Sequence, residues 1–206
     1  NALCKSNCSR DSNKNGERMI GHDIVDLNLA KIQSNWPRKG FLEKQFTQKE
    51  QCAILNAENP FVTVWLFWSM KEAAYKCYTQ KYNERFYAPQ KFDCRLLSET
   101  KGIVTFEDNY FYTTFFLSAS YIYTTAREKE SERLMFSAVA RPSTLELDLK
   151  NKLAQETGFL VEHIQKVKTT MGAPRFYHQE ELLTASCSMS HHGNYGAYAF
   201  NLANKL

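Results

Sequence analysis

Residues 65–76 read WLFWSMKEAAYK, and they lie in a segment that predicts one long helix from Asn59-Pro60 to about Gln80. One face of this helix carries apolar residues at helical spacing, which is typical of a face packed in a core. These residues are Val62, Leu66, Met70, Ala73 and Cys77. A second stripe lies about a third of a turn away around the helix. It contains Trp65, Trp68, Glu72 and Lys76.

The second stripe allows two interpretations. Glu72 and Lys76 are spaced i,i+4, and an ordinary helix ion pair of this kind contributes only ~0.2–0.5 kcal/mol. A carboxylate and an ammonium in line with two tryptophans are also typical of the wall of a binding site. The tryptophans could line an apolar channel there, although core packing is the more common role for such residues.

Upstream of the helix, Met19–Leu27 (MIGHDIVDL) predicts a β-strand that contains Asp23. An acid among apolar strand residues is costly to bury unless a positive group faces it. A helix-prone stretch follows at Asn28–Asn35. A further helix is predicted over Thr47–Asn56, where Thr47-x-x-Glu50 forms a capping box.

Downstream, the pattern changes to short β runs joined by turns, which predict an antiparallel meander. The runs are Phe92–Leu97, Ile103–Phe106, Tyr110–Leu117 and Tyr121–Thr125. The charge run REKESER at 127–133 is then the best candidate for a linker between lobes, although a solvated helix start is equally compatible.

The remaining residues repeat the order of strand and then helix. Leu134–Ala140 is apolar, and a Ser143-x-x-Glu146 capping box precedes a helix that ends at Gly158. The predicted strands beyond that helix are His163–Lys168, Ala185–Ser190 and Tyr195–Asn201, the last two as a hairpin. We therefore predict an α+β chain with a first lobe at 19–126, a charged linker at 127–133 and a second lobe at 134–206. Residues 1–18 are expected to be a disordered leader or a remnant of cloning.

The 206 residues carry a net charge of +4, with 43% hydrophobic and 23% charged residues. This composition excludes a disordered tail, a fibrous repeat and a coiled-coil rod. The mildly basic balance suits an anionic ligand or an acidic partner but is too weak for a dedicated nucleic-acid binder. No apolar run reaches the length of a membrane helix. The six cysteines include no CxxC pair, which favours reduced thiols in the cytoplasm.

A cluster of hydroxyl and imidazole side chains lies at the predicted hairpin turn, in the stretch Ser188-Met189-Ser190-His191-His192-Gly193. Its hydroxyls and imidazoles could bind a phosphate or merely cap the turn. Together with Asp23, Glu72 and Lys76, the cluster supplies what a Mg²⁺-dependent site for a pyrophosphate requires, because Mg²⁺ takes one or two carboxylates and completes its shell with water and substrate oxygens.

At these residues the sequence resembles the 4′-phosphopantetheinyl transferase superfamily. Trp68-Ser69-x-Lys71-Glu72-Ala73-x-x-Lys76 resembles the signature W-[S/T]-x-K-E-A-x-x-K, and the segment from Gly21 to Leu27 resembles the G-x-D-I motif. Phe46-Thr47-Gln48-Lys49-Glu50 matches the intervening F-x-x-x-E segment. Gly172-Ala173-Pro174 and Ser188-Met189-Ser190-His191 resemble the G-K-P and S-x-S-H elements. The order of the motifs is that of the small holo-acyl-carrier-protein synthase type, whereas the length suits the larger two-lobed type.

The resemblance implies the superfamily's two-lobed α+β fold, in which each lobe packs an antiparallel sheet against a long helix. It also implies transfer of the phosphopantetheine arm of coenzyme A to a serine of an apo acyl or peptidyl carrier protein, with release of adenosine 3′,5′-bisphosphate. Asp23 and Glu72 would hold Mg²⁺, and Glu72 or a water that it orients would act as the base. Lys76 would bind the pyrophosphate, with Lys71 as a helper, and Ser190 and His191 would bind the nucleotide phosphates.

Two departures from the family pattern matter. Val25 replaces an additional metal-site acid of the larger type, so a site of two carboxylates is expected. Asp26 falls at the next position and would face the other side of the strand. Ala173 replaces the usual lysine, and we expect Arg175 to supply the missing charge.

Carrier proteins are acidic, so we expect the basic residues after the first motif, Lys31, Arg38 and Lys39, to steer docking, although they could form only a solvated face. The carrier could belong to fatty acid biosynthesis or to a polyketide or peptide synthetase. Two lobes in one chain make a monomer plausible. Two other functions stay open at this stage: a catalytically silent module that binds coenzyme A or carrier protein, and a Mg²⁺-dependent hydrolase of a nucleotide pyrophosphate.

Overall fold

The computed structural model of the chain describes residues 19–130 and 135–203. The predicted α+β architecture is confirmed, with two antiparallel lobes that each pack against a helix. The helices are α1 (Leu27–Gln33), α2 (Phe41–Gln45), α3 (Gln48–Leu55), α4 (Pro60–Tyr82) and α5 (Leu145–Thr157). The strands of the first lobe are β1 (Ile20–Asp26), β2 (Asp93–Leu96), β3 (Lys101–Phe106), β4 (Asn109–Leu117) and β5 (Tyr121–Arg127). Those of the second lobe are β6 (Phe136–Ala140), β7 (Ile164–Lys168), β8 (Pro174–His178), β9 (Glu181–Leu182), β10 (Thr184–His192) and β11 (Tyr195–Leu202).

The first lobe is a five-stranded antiparallel sheet in the order β1-β5-β4-β3-β2, with α4 packed against it. The helix begins as predicted, because the Asn59 side chain accepts a hydrogen bond from the Val62 backbone N–H. Its last residue is Tyr82, and Asn83 caps the helix in a left-handed conformation. The predicted apolar stripe packs in the core, where Met70, Ala73 and Cys77 are completely buried and Val62 lies at the margin.

The short helices before α4 follow from local capping chemistry. Asp26 ends β1 and caps α1 by accepting hydrogen bonds from the N–H groups of Asn28 and Leu29. The predicted capping box of α3 is present, since Thr47 and Glu50 bind each other's backbone N–H groups. Asp26 is thus a capping residue of the fold, in keeping with its predicted placement away from the metal site.

The second lobe contains a sheet of β10-β11-β6, a smaller sheet of β7-β8-β9 and helix α5. Its core includes the predicted stripe Leu145, Leu149 and Leu153. The capping box predicted at Ser143 is wrong: the residue that caps α5 is Thr144, which makes no side-chain bond to the helix N–H groups. Its hydroxyl instead donates to Asp148 Oδ2 at 2.7 Å. The helix starts one residue later than the sequence pattern indicated.

Strand β1 joins the two lobes. It pairs with β5 along one edge, and its other edge faces the side chains of β10, although these two strands belong to different sheets. The N–H groups of Ile20 and His22 donate to Ser186 Oγ at 3.0 Å and to Ser188 Oγ at 3.3 Å, respectively. Asp26 N–H donates to His192 Nδ1 at 2.9 Å. We call Ser186, Ser188, Ser190 and His192 the β10 polar row.

The predicted linker begins inside β5, because Arg127 still pairs with Ile20, and Glu128 contacts Lys81 and Met19. Residues 131–134 and the predicted leader at 1–18 lie outside the described residues, as do Cys4 and Cys8. The cysteines of the described ranges are free thiols: Cys52, Cys77, Cys94 and Cys187. Among residues 19–130 and 135–203, no helix has both the length and the apolar character needed to cross a membrane.

Candidate active site

Asp23, Glu72 and Lys76 meet where β1 crosses α4. Lys76 Nζ lies 2.8 Å from Asp23 Oδ1 and donates to the His22 carbonyl at 3.0 Å. The Glu72 carboxyl is close enough to Asp23 for their charges to interact. Asp23 comes from one motif, and Glu72 and Lys76 come from another about fifty positions later in the sequence. The fold brings the two motifs together.

The close approach of β1 to α4 depends on Gly21, which the sequence pattern did not single out for this role. A Cβ atom at Gly21 would lie 2.0 Å from the Ala73 carbonyl oxygen and 2.7 Å from the Cys77 backbone nitrogen. Only a residue without a side chain allows the two backbones to come this close. Gly21 thus sets the separation at which Asp23 reaches Glu72 and Lys76.

The surroundings of Glu72 disfavour its negative charge, which a nearby cation would stabilise. Its pKa is raised, first by desolvation on burial and then by the negative charge of Asp23, while Lys76 acts in the opposite direction. Two interacting carboxylates that face a cavity are hard oxygen donors of the kind that Mg²⁺ binds. No cluster of three or more metal-binding side chains is found within the described part of the chain. Asp23 and Glu72 are thus the two residues that would hold a Mg²⁺ ion at this site, in keeping with the one or two carboxylates that Mg²⁺ takes from a protein.

Glu72 lies on the boundary between two cavities. The tryptophan cavity, about 500 Å³, is lined by Asp23, Arg38, Trp65, Trp68, Glu72 and His191, among others. The lysine cavity, about 330 Å³, is lined by Glu72, Lys76, Arg85, the segment 172–174 and Met189, among others. Both tryptophans also pack on the core, with their rings in a T-shaped arrangement at 6.3 Å between centroids. The tryptophans therefore both pack on the core and line a cavity, which are the two roles that the sequence left open for them.

Ser190 and His191 point in different directions. Ser190 Oγ lies 3.0 Å from His22 Nε2 and belongs to the β10 polar row, whereas His191 is exposed and lines the tryptophan cavity. Successive residues of a strand face opposite sides, which explains the separation. This placement gives Ser190 a contact that joins the lobes and leaves His191 on the wall of the tryptophan cavity. The period-two spacing of Ser186, Ser188 and Ser190 was the sequence signal for that row.

Lys71 lies on a different side of α4 from Glu72. Its ammonium donates to Glu50 Oε2 at 2.7 Å and to the carbonyls of Pro89 and Phe92 at 2.9 and 2.6 Å. These three bonds use all the donors of an ammonium group. This arrangement is structural, and it argues against the prediction that Lys71 helps to bind coenzyme A.

The remaining predicted residues are divided between two regions. Arg175 lies on β8 and lines a third cavity of about 560 Å³, together with Lys81 and Lys168. Lys31, Arg38 and Lys39 are exposed on α1 and the loop that follows it. Arg38 also stacks its guanidinium over the Phe41 ring at 5.6 Å. Arg38 lines the tryptophan cavity, and Lys31 and Lys39 are exposed on the same segment of α1 and its loop.

His22 is the buried titratable group of the site that sequence reasoning missed. It is completely buried, and its pKa is lowered well below the usual value, first by desolvation and then by the positive charge of Lys76. The pKa of His22 is therefore lower in the folded state than in the unfolded state. Because of this difference, the unfolded state binds more protons once the pH falls below about 6.5. The stability contributed by neutral His22 is therefore complete above that pH and is lost below it.

We expect the wild-type protein to lose more unfolding free energy between pH 7.5 and 5.5 than His22→Gln loses, by about 1 kcal/mol. Urea unfolding at both pH values measures this difference. The exposed residue His163 provides the control, since His163→Gln should retain the wild-type dependence. An equal loss in wild type and His22→Gln would show that His22 is not the group responsible.

Comparison with known proteins agrees with the motifs. No curated protein sequence matches the chain. Among solved structures, holo-[acyl-carrier-protein] synthase (AcpS) of Thermotoga maritima is similar, with 12% identity, a TM-score of 0.42 and coverage of 76% of this chain and 80% of that chain. The family model described as "4'-phosphopantetheinyl transferase superfamily" matches residues 19–129, which include β1, α4 and the meeting point of Asp23, Glu72 and Lys76. Because this match covers more than half of the chain, the protein belongs to the 4′-phosphopantetheinyl transferase superfamily.

Proposed function

We propose that this protein transfers the 4′-phosphopantetheine arm of coenzyme A to a serine of an apo carrier protein, as a Mg²⁺-dependent reaction in the cytoplasm. The observation that carries the proposal is the meeting of Asp23, Glu72 and Lys76 at the junction of two cavities. The lysine cavity can hold the nucleotide of coenzyme A, and the tryptophan cavity can admit the pantetheine arm and the carrier serine. The reacting phosphate would then lie beside Glu72.

Asp23 and Glu72 are the residues that would hold Mg²⁺, which supplies charge neutralisation for the diphosphate of coenzyme A. Lys76 is already oriented toward Asp23 by two hydrogen bonds. Its ammonium can bind a diphosphate oxygen and stabilise the negative charge that develops on the leaving group. The positive charge of Lys76 also acts on Glu72, so the ammonium serves both carboxylates.

Glu72 is also our candidate for the general base. Its raised pKa makes it a better proton acceptor than an ordinary surface carboxylate. The serine oxygen would attack the phosphorus of the pantetheine phosphate as its proton passes to Glu72 or to a water that Glu72 orients. The bond from that phosphorus to the bridging oxygen breaks, and adenosine 3′,5′-bisphosphate leaves with the bridging oxygen.

Intact-mass spectrometry of an apo acyl carrier protein tests the proposal. The carrier is incubated with the protein, coenzyme A and Mg²⁺, and a gain of one phosphopantetheine arm is expected. Release of the arm to water would indicate a hydrolase instead. Unchanged coenzyme A with several carriers of fatty acid, polyketide and peptide synthesis would favour the silent binding module.

The basic residues near the tryptophan cavity are proposed to dock the acidic carrier. We expect Lys31→Glu/Lys39→Glu to raise the KM for carrier protein about tenfold or more, because like charges would then oppose encounter. The KM for coenzyme A should stay within about twofold, since neither side chain lines a described cavity. Steady-state kinetics with each substrate varied in turn measures both constants.

Lys49→Glu is the control for this surface, because Lys49 is equally exposed but lies on α3. It should leave both KM values close to those of the wild type. An unchanged carrier KM in Lys31→Glu/Lys39→Glu would remove α1 and its loop from the docking surface.

A further inference from the structure

The lysine cavity is also lined by a cation that lies outside α4 and that the sequence motifs did not indicate. Arg85 lies in the loop after α4, is exposed, and lines this cavity together with Glu72 and Lys76. The loop reaches this place because Asn83 ends α4 in a left-handed conformation and the chain turns back. The Phe86 backbone N–H then donates to the Tyr75 hydroxyl at 3.2 Å. Arg85 is therefore held close to the level of Tyr75 and Lys76 rather than beyond the end of the helix.

The guanidinium of Arg85 is positioned by the turn between β7 and β8. One of its nitrogens, Nη2, donates to the Met171 carbonyl. The next residue, Gly172, has φ +81°, and a Cβ atom there would lie 2.9 Å from the same nitrogen. Within the described residues, the structure records no other protein acceptor for Arg85. A guanidinium has five N–H donors, so most of them remain available to a ligand in the cavity.

Arg175 is the other candidate for positive charge beside residues 172–174, and it is placed less well. The sequence predicted that Arg175 would compensate for Ala173, but Arg175 lines the third cavity and not the lysine cavity. Ala173 itself borders both. Arg85, from the other lobe, thus brings positive charge to the backbone of residues 172–174, where the sequence lacks a lysine.

We propose that Arg85 binds the 3′-phosphate of coenzyme A, an inference that rests on the proposed function. Coenzyme A carries a diphosphate and a separate terminal phosphate on its ribose. Lys76, together with the carboxylates that would hold Mg²⁺, serves the diphosphate at one side of the cavity. The terminal phosphate is a dianion with three free oxygens, and the planar fork of arginine matches two of them at once. Arg85 would therefore make the site selective for coenzyme A over its 3′-dephospho form.

Calorimetry and transfer kinetics with coenzyme A and 3′-dephospho-coenzyme A test this assignment. We expect Arg85→Gln to weaken binding of coenzyme A and to lower its kcat/KM about 10- to 100-fold, as expected for loss of a charge-assisted pair. The values for the dephospho form should change less than about threefold, so the preference of the wild type disappears. Arg85→Lys should restore part of the preference. Arg95→Gln, which removes an exposed arginine of β2, is the matched control and should behave like the wild type.

Three results would overturn the assignment. Equal losses for both ligands in Arg85→Gln would mean that Arg85 serves only to tie the loop to the β7–β8 turn or acts on the diphosphate. Loss of the preference in Arg175→Gln but not in Arg85→Gln would assign the 3′-phosphate to the third cavity. A wild type that binds both ligands equally would show that the 3′-phosphate is not recognised. Binding without transfer by the wild type would refute the proposed function, yet the calorimetric comparison would still test Arg85.

Discussion

We expect Glu72→Gln to lower the kcat/KM of phosphopantetheine transfer at least about a thousandfold, because the change removes both a metal ligand and the candidate base. Glutamine has nearly the shape of glutamate, so packing along α4 should be preserved. The raised pKa of Glu72 shows that burial and Asp23 already disfavour its charge. Removing that charge should therefore not destabilise the fold. Quantitative intact-mass kinetics gives the rate, and thermal unfolding checks the fold.

Two further variants complete this experiment. Asp23→Asn should cause a loss of similar size, because it removes the other proposed metal ligand and the partner of Lys76. Glu58→Gln makes the same chemical change at an exposed position just before α4 and should leave the rate unaltered. A Glu72→Gln rate within about tenfold of wild type would be too small a loss for a base or a metal ligand, and would exclude both roles.

The second large effect concerns stability. We expect Lys71→Met to lower the unfolding free energy by about 3–5 kcal/mol, because it leaves the Glu50 carboxylate buried without its cation. Both residues are nearly inaccessible, with 3% of Lys71 and 1% of Glu50 exposed. Urea unfolding measures the loss. At temperatures where the variant is folded, its affinity for coenzyme A should match the wild type, since the Lys71 ammonium is fully used by protein acceptors.

The double variant Glu50→Gln/Lys71→Met separates the ion pair from the packing. It removes both charges together, so much of the lost stability should return, as expected when a buried pair is replaced as a unit. The glutamine oxygen can keep the bond that Glu50 Oε1 accepts from the Cys94 N–H at 2.7 Å, but the glutamine NH2 group cannot accept from the Thr47 N–H as Oε2 does, so the recovery should be incomplete. A tenfold weaker binding of coenzyme A by folded Lys71→Met would instead support the role that the family resemblance implied for this lysine.

The sequence allowed prediction of features that depend on local spacing. The bounds of α4, its buried stripe, the Thr47 capping box and the antiparallel meander all follow from periodicity or from side chains a few residues apart. The clusters of the sequence predicted that Asp23, Glu72 and Lys76 share one site, and in the structure these residues meet where β1 crosses α4. Ser143 failed as a cap because the helix start was shifted by one residue, which local pattern does not resolve.

Features that depend on packing between distant segments could not be predicted. The contact of Ser190 with His22 joins residues 168 positions apart. Arg85 enters the lysine cavity only because its loop folds back along α4 and meets the β7–β8 turn. The motif lysine at position 71 and the motif serine at position 190 look like ligand-binding residues in the sequence, but their partners in the fold are protein groups.

The β10 polar row has a consequence for the way the chain assembles. Each lobe buries its own apolar core, whereas the bonds from β1 to the row connect residues 166 to 168 positions apart. Closing so long a loop costs more entropy than forming the local contacts within either lobe, so docking of the lobes should come late in folding. Asp23 lies on β1, between residues that make these bonds. Asp23, Glu72 and Lys76 all belong to the first lobe, but the two cavities beside them are lined by residues of both lobes. These cavities are therefore completed by the last event of folding.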